Sequence, residues 1–185
     1  MYKQALAIRE KVLGGNHLDV ANSLNNLAEL FQAQGRFAEA EPLYQRSLTI
    51  RENLLGAEHP DVAQTLNNLA LLDHDRGEYS AAETLYKRSL SISEKARGSE
   101  HPEVAITLNN LAELYRALRR YSEAEALYKR SLSILETALG ADHPNAATVL
   151  ENYASLLRKL GRNVEAEDAE QRVRALRSRA TRKSR

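Results

Sequence analysis

The 185 residues contain no cysteine and no tryptophan. Without cysteine there is no disulfide, no thiolate metal ligand and no cysteine nucleophile. That fits a reducing compartment, and a cytoplasmic location is expected. Only 4 prolines and 8 glycines interrupt a chain dominated by alanine, leucine, glutamate and arginine, so helix is favoured almost throughout. No stretch approaches the ~18 consecutive apolar residues of a membrane-spanning helix. The opening Met1-Tyr2-Lys3-Gln4-Ala5-Leu6 leads into no long apolar run of the signal-peptide kind. No membrane contact is expected except through a partner. Charge of one sign is also missing, since the net charge is +1. From Arg172 to Arg185 there are seven basic residues and no acidic one, which leaves the body acidic, at about −6. A globally basic nucleic-acid binder has a different balance, and no stacking aromatics accompany the basic tail. Nucleic acid is therefore disfavoured as a partner.

What is present is a repeat. His17, His59, His101 and His143 recur at intervals of 42, and Pro60, Pro102 and Pro144 follow the last three. Gly14, Gly56, Gly98 and Gly140 stand three residues before each histidine. Aligning Glu58–Ser99 with Glu100–Ala141 gives 27 identities in 42 positions by direct count. Such a period marks an array of supersecondary units.

Each unit holds two helical patterns. The first opens at His-Pro, where proline is pre-set for the first helical position, and runs to Gly35, Gly77, Arg119 or Gly161. Leu66, Leu69 and Ala70 recur at helical spacing within it. The second runs from about Tyr79 to Arg97, with Ala82, Leu85, Tyr86, Ser89, Leu90 and Ile92 as its apolar stripe. Neither helix can bury its stripe alone, so successive hairpins must stack. The residues thus predict an all-α superhelical array of about nine helices.

Leu24-Asn25-Asn26-Leu27-Ala28, with its counterparts at 66–70 and 108–112, resembles the first helix of the tetratricopeptide repeat (TPR). Tyr79, Ala82-Glu83, Leu85-Tyr86 and Arg88-Ser89-Leu90 resemble its second helix. The 42-residue period with its Gly-x-x-His-Pro link is similar to the longer variety found in kinesin light chains. The resemblance covers residues 1–177. It implies a right-handed superhelical solenoid of antiparallel hairpins whose concave groove, lined by first helices, binds an extended peptide. A non-catalytic scaffold with no cofactor is expected, because the residues carry no phosphate-binding glycine loop and no nucleophile–base set.

The expected layout is one solenoid over 1–177: a lone second helix at 1–15, full repeats at 16–57, 58–99 and 100–141, and a last repeat with a capping helix at 142–177. A basic disordered tail, 178–185, would follow. Because Tyr2–Leu6 aligns with Tyr44–Leu48, the chain begins inside a second helix whose own first helix is missing. Either the array continues in a longer chain, or another molecule covers this edge, which could then support a homo-oligomer.

On a helical wheel Asn25, Asn67 and Asn109 point away from the leucines, together with Glu29, Leu71 and Glu113. Gln32, His74, Arg116 and Arg158 continue that stripe, and Asn22, Gln64, Ile106 and Thr148 begin it. These residues are expected to line the groove, where amides can pair with a peptide backbone of any sequence. The second asparagines, Asn26, Asn68, Asn110 and Asn152, are assigned to bonding loop or neighbouring-helix backbone. The repeated histidines lie too far apart to converge on one metal ion and are read as helix starts. Arg46, Arg88, Arg130 and Arg172 form a ladder read as solvated surface. Two departures stand out: Asp73 sits where other repeats have Phe31, Tyr115 and Leu157, and Arg119 replaces a turn glycine. No catalytic constellation is detectable, and no enzymatic role is expected.

Overall fold

The computed structural model describes residues 2–140 and 143–183, with side-chain surroundings for 3–140 and 143–178. Among the described residues there are nine helices and no strand: α1 (Tyr2–Leu13), α2 (Leu18–Ala33), α3 (Phe37–Leu55), α4 (Pro60–Asp75), α5 (Tyr79–Arg97), α6 (Pro102–Ala117), α7 (Tyr121–Leu139), α8 (Pro144–Lys159) and α9 (Asn163–Lys183). None is long and apolar enough to cross a membrane. The chain divides into two compact units, Met1–Ala96 and Arg97–Arg185.

Each first helix starts in the same way. His17, His59, His101 and His143 are extended N-cap residues whose Nδ1 accepts a hydrogen bond from the backbone N–H two residues on, at 3.1–3.2 Å. One otherwise unsatisfied N–H of the first turn is met in each helix. The imidazole must be neutral, with its proton on Nε2, to accept there. This is the physical role of the repeated histidines.

In the first unit α2 and α3 form a hairpin that joins α1 on one side and α4 on the other. Leu27, Ala28 and Phe31 of α2 meet Ala40 and Tyr44 of α3 and Leu69 and Leu72 of α4. Leu48 of α3 packs with Val62, Ala63 and Leu66 of α4 and Ile92 of α5. In the second unit α6 pairs with α7 and α8 with α9, while α7 bridges to α8. Tyr44, Tyr86 and Tyr128 are fully buried, and each such side chain contributes roughly 2–3 kcal/mol of apolar burial. The small residue between them also works as a donor. The Oγ atoms of Ser47, Ser89 and Ser131 donate to the backbone oxygens of Ala21, Ala63 and Ala105 at 2.7–2.8 Å, tying each second helix to its own first helix.

The turn at Arg119 accepts the strain. Gly35, Gly77 and Gly161 have φ of 70°, 79° and 74°, and Arg119 has φ 60°. The left-handed geometry is imposed by the repeated hairpin turn and retained without glycine, at a cost of roughly 1 kcal/mol. The other departure is also resolved. Phe31 and Tyr115 stack under the guanidinium groups of Arg36 and Arg120, 4.2 and 3.9 Å from the ring centroids. The positions corresponding to those pairs in the intervening repeat are Asp73 and Glu78, so two carboxylates replace an aromatic–cation pair. Asp73 is only 7% exposed. Burial, reinforced by Glu78 and Glu41 and opposed by Arg76, pushes its carboxyl up to about 6.

Helix α9 buries Ala166, Ala169, Val173 and Leu176 and exposes Glu167 and Arg174 on its other side. Its backbone remains helical through 178–183, where a disordered tail was expected, while residues 184–185 and the side chains from 179 onward lie outside the described residues.

Candidate functional site

The candidate groove residues lie on the first helices, which touch in pairs within each unit: α2 with α4, and α6 with α8. The asparagines expected to present open amides do something else. Asn25 is 3% exposed and Asn109 8%. Asn25 Nδ2 donates to Glu29 Oε1 at 2.8 Å, while Asn68 Nδ2 donates to both Glu29 Oε1 at 2.8 Å and Asn25 Oδ1 at 3.3 Å. In the second unit Asn152 Nδ2 donates to Asn109 Oδ1 at 3.1 Å, and Asn109 Nδ2 donates to Asn110 Oδ1. The amide pair is therefore a strut between neighbouring first helices. Asn68 and Asn152 do bond the neighbouring helix, as expected, but through its side chains rather than its backbone. The wheel of a single helix could not show that the next first helix closes over the position of the first asparagine. Asn67 is half-buried at the corresponding place on α4.

The exposed residues of the face are its outer ones. In the first unit these are Asn22, Glu29, Gln64 and Leu71, with Gln32 and His74 half-buried. Gln32 donates to Asp75 Oδ2 at 2.7 Å and accepts from the Tyr44 hydroxyl at 3.0 Å. The His74 ring lies 5.7 Å from that of Tyr79. In the second unit Ile106 and Thr148 are exposed, and the ions beyond them are paired. Arg116 grips Glu113 through two nitrogens, at 3.0 and 2.7 Å. Arg158 grips Glu170 in the same way, at 2.8 and 3.0 Å. Glu113 also accepts from the Tyr128 hydroxyl; burial and that carboxylate push the phenol well above its ordinary range.

One residue of this region was not foreseen. Arg51, on α3, is 3% exposed. Its Nη1 donates to the Asp61 carbonyl and Thr65 Oγ1, both at 2.7 Å, and its Nη2 donates to Asn22 Oδ1 at 2.8 Å. Burial lowers its pKa, opposed by the carboxylates of Asp61 and Glu29. The sequence carried a signal: Arg51 interrupts an apolar stripe at a position where the next two repeats have Ser93 and Leu135.

The second-helix arginines are likewise committed. Arg46 pairs with Glu10, Arg88 with Glu52 and Arg172 with Glu136, each 36 residues back on the preceding second helix. The expected solvated ladder is an inter-repeat ladder of exposed ion pairs, each worth at most about 1 kcal/mol. Arg172 and Arg177, the first and third basic residues of the C-terminal run, are paired with Glu136 and Glu151.

The tetratricopeptide repeat family matches residues 1–53, 20–95, 61–137 and 103–179. This chain belongs to the tetratricopeptide repeat family. The TPR fold generally serves as a non-catalytic protein-interaction scaffold. The TPR chain is similar to BtubC (BKLC) from P. vanneervenii, with 25% identity, a TM-score of 0.80, and coverage of 97% of this chain and 72% of that one. It is also similar to a kinesin light chain-type protein of Podosopora anserina with nearly identical TPR-like repeats, with 28% identity, a TM-score of 0.71 and coverage of 98% and 86%. A point variant of that protein gives 27% identity and a TM-score of 0.74, with coverage of 98% and 85%. No curated protein matches the sequence.

Proposed function

We propose that the chain is a scaffold that binds an extended segment of a partner protein along its first-helix faces. The observation that carries this reading is the strut arrangement. Amide pairs hold neighbouring first helices edge to edge, which leaves Asn22, Glu29, Gln64 and Leu71 in one unit and Ile106 and Thr148 in the other facing outward. A rigid, amide-braced surface with mixed polar and apolar side chains suits a peptide better than free loops would, because little ordering entropy is lost on binding. The test is selection of binding peptides from a random dodecapeptide display library, followed by affinity measurement on Leu71→Asp and Ile106→Asp. Loss of affinity in either variant with unchanged helicity supports the reading. Selected peptides indifferent to both, but sensitive to a second-helix change such as Arg88→Glu, would refute it.

A second reading rests on α1. Ile8 is 63% exposed, whereas its counterpart Ile50 packs against Val20, Ala21 and Leu24. With Val12 it forms an apolar strip suited to self-association. Light scattering over a concentration series decides this, since a strict monomer at high concentration would exclude it.

A further inference from the structure

The Arg51 cluster has a counterpart in the second unit built from different chemistry. Two repeat periods carry Asn22 onto Ile106, Arg51 onto Leu135, Asp61 onto Asn145, Gln64 onto Thr148 and Thr65 onto Val149. In the first unit the Arg51 guanidinium reaches from α3 to Asn22 on α2 and to Asp61 and Thr65 on α4, filling the seam between the two first helices. In the second unit the corresponding seam, between α6 and α8, is an open cleft of about 250 Å³. Leu135 and Val149 are buried at its base, while Ile106, Asn145 and Thr148 stand exposed at its mouth. Three polar members of the cluster have been exchanged together for leucine, isoleucine and valine.

Every residue lining this cleft is uncharged. Two other clefts differ: one is lined by Arg158, Lys159 and Glu170, the other by Arg36, Glu41 and Arg76. An ion entering the α6–α8 cleft would lose hydration without meeting an opposite charge. A neutral apolar side chain would displace water from Leu135, Val149 and Ile106. The backbone carrying it would stay at the mouth, within reach of the amide of Asn145 and the hydroxyl of Thr148. The cleft is smaller than the roughly 300–1,000 Å³ typical of small-molecule sites, so it suits one side chain better than a free metabolite.

We propose that the α6–α8 cleft is the anchor pocket for one large apolar side chain, of leucine to phenylalanine size, on the bound segment of the partner protein. This rests on the first-helix faces being the binding surface, and it adds where the segment is gripped and by what chemistry. The asymmetry between units follows, because Arg51 takes the corresponding place in the first.

Titration of ¹⁵N-labelled protein with N-acetyl-phenylalaninamide, N-acetyl-leucinamide and N-acetyl-argininamide tests the pocket without a selected peptide. The two apolar amides shift the backbone resonances of Ile106, Leu135, Thr148 and Val149 saturably, with dissociation constants on the order of millimolar. The arginine amide leaves them in place. The combined change Leu135→Arg, Ile106→Asn and Val149→Thr rebuilds the first unit's chemistry and weakens the apolar amides about tenfold or more. Ile106→Asp, at a side chain 47% exposed, gives the same direction without disturbing the core. No saturable shift in the wild type, an equal response to the arginine amide, or undiminished binding in Ile106→Asp overturns the pocket. Peptide selection reports separately on the wider reading. Selected peptides that bind the first-helix faces yet ignore Ile106→Asp would remove the pocket alone. Saturable shifts with no selectable peptide would leave an apolar pocket in place but overturn the wider reading, and with it the pocket's role as an anchor.

Discussion

Replacing Asp73 by leucine should stabilise the protein at neutral pH. The carboxyl is buried among Glu78, Glu41 and Arg76 and titrates at about 6, against 3.8 for a free aspartate. A rise of about two pH units corresponds to roughly 3 kcal/mol of destabilisation when the group is ionised. Leucine removes that cost and adds apolar contact, as Leu157 does at the same position of the last repeat. The expected gain at pH 7.5 is about 3 kcal/mol, or roughly 6–12 °C in melting temperature for a chain of this size. Folding raises this pKa, so the folded chain holds the proton more tightly than the unfolded chain. Wild type therefore gains stability from this group as pH falls through 6 towards 3.8, and the leucine variant does not. By pH 4.5 the advantage of leucine should have shrunk by about 2 kcal/mol. Urea denaturation of both proteins at pH 7.5, 6.0 and 4.5 measures the difference directly. A leucine variant less stable than wild type at pH 7.5, or an advantage unchanged at pH 4.5, would refute the reasoning.

Two further changes test the backbone and the buried cation. Arg119→Gly relieves the one left-handed turn held without glycine among the described residues and should raise stability by about 1 kcal/mol, seen as a higher urea midpoint with an unchanged slope. Arg51→Leu leaves the Asn22, Asp61 and Thr65 oxygens without their shared donor. It should cost about 2–4 kcal/mol and speed amide exchange in α2 and α4; a variant as stable as wild type would show that the seam closes without the guanidinium.

How far the sequence alone reached follows from the range of each interaction. The 42-residue beat, the apolar stripes and the His-Pro starts are local in the chain, and helix periodicity and capping act over a few residues. The hairpins and the N-capping histidines were therefore legible, as were the anomalies at Asp73 and Arg119. The amide struts were not, because Asn68 meets Asn25 across 43 residues and the wheel of one helix says nothing about its neighbour. The same holds for Arg46 and Glu10, 36 residues apart. Whether a seam between first helices is filled or open depends on three helices at once. Arg51 and Leu135 look like an isolated substitution in the sequence, and only packing shows that one occupies a seam and the other floors a cleft. Local periodicity determined the repeat and its faces; the contact between repeats decided which residues of those faces are buried and which remain exposed.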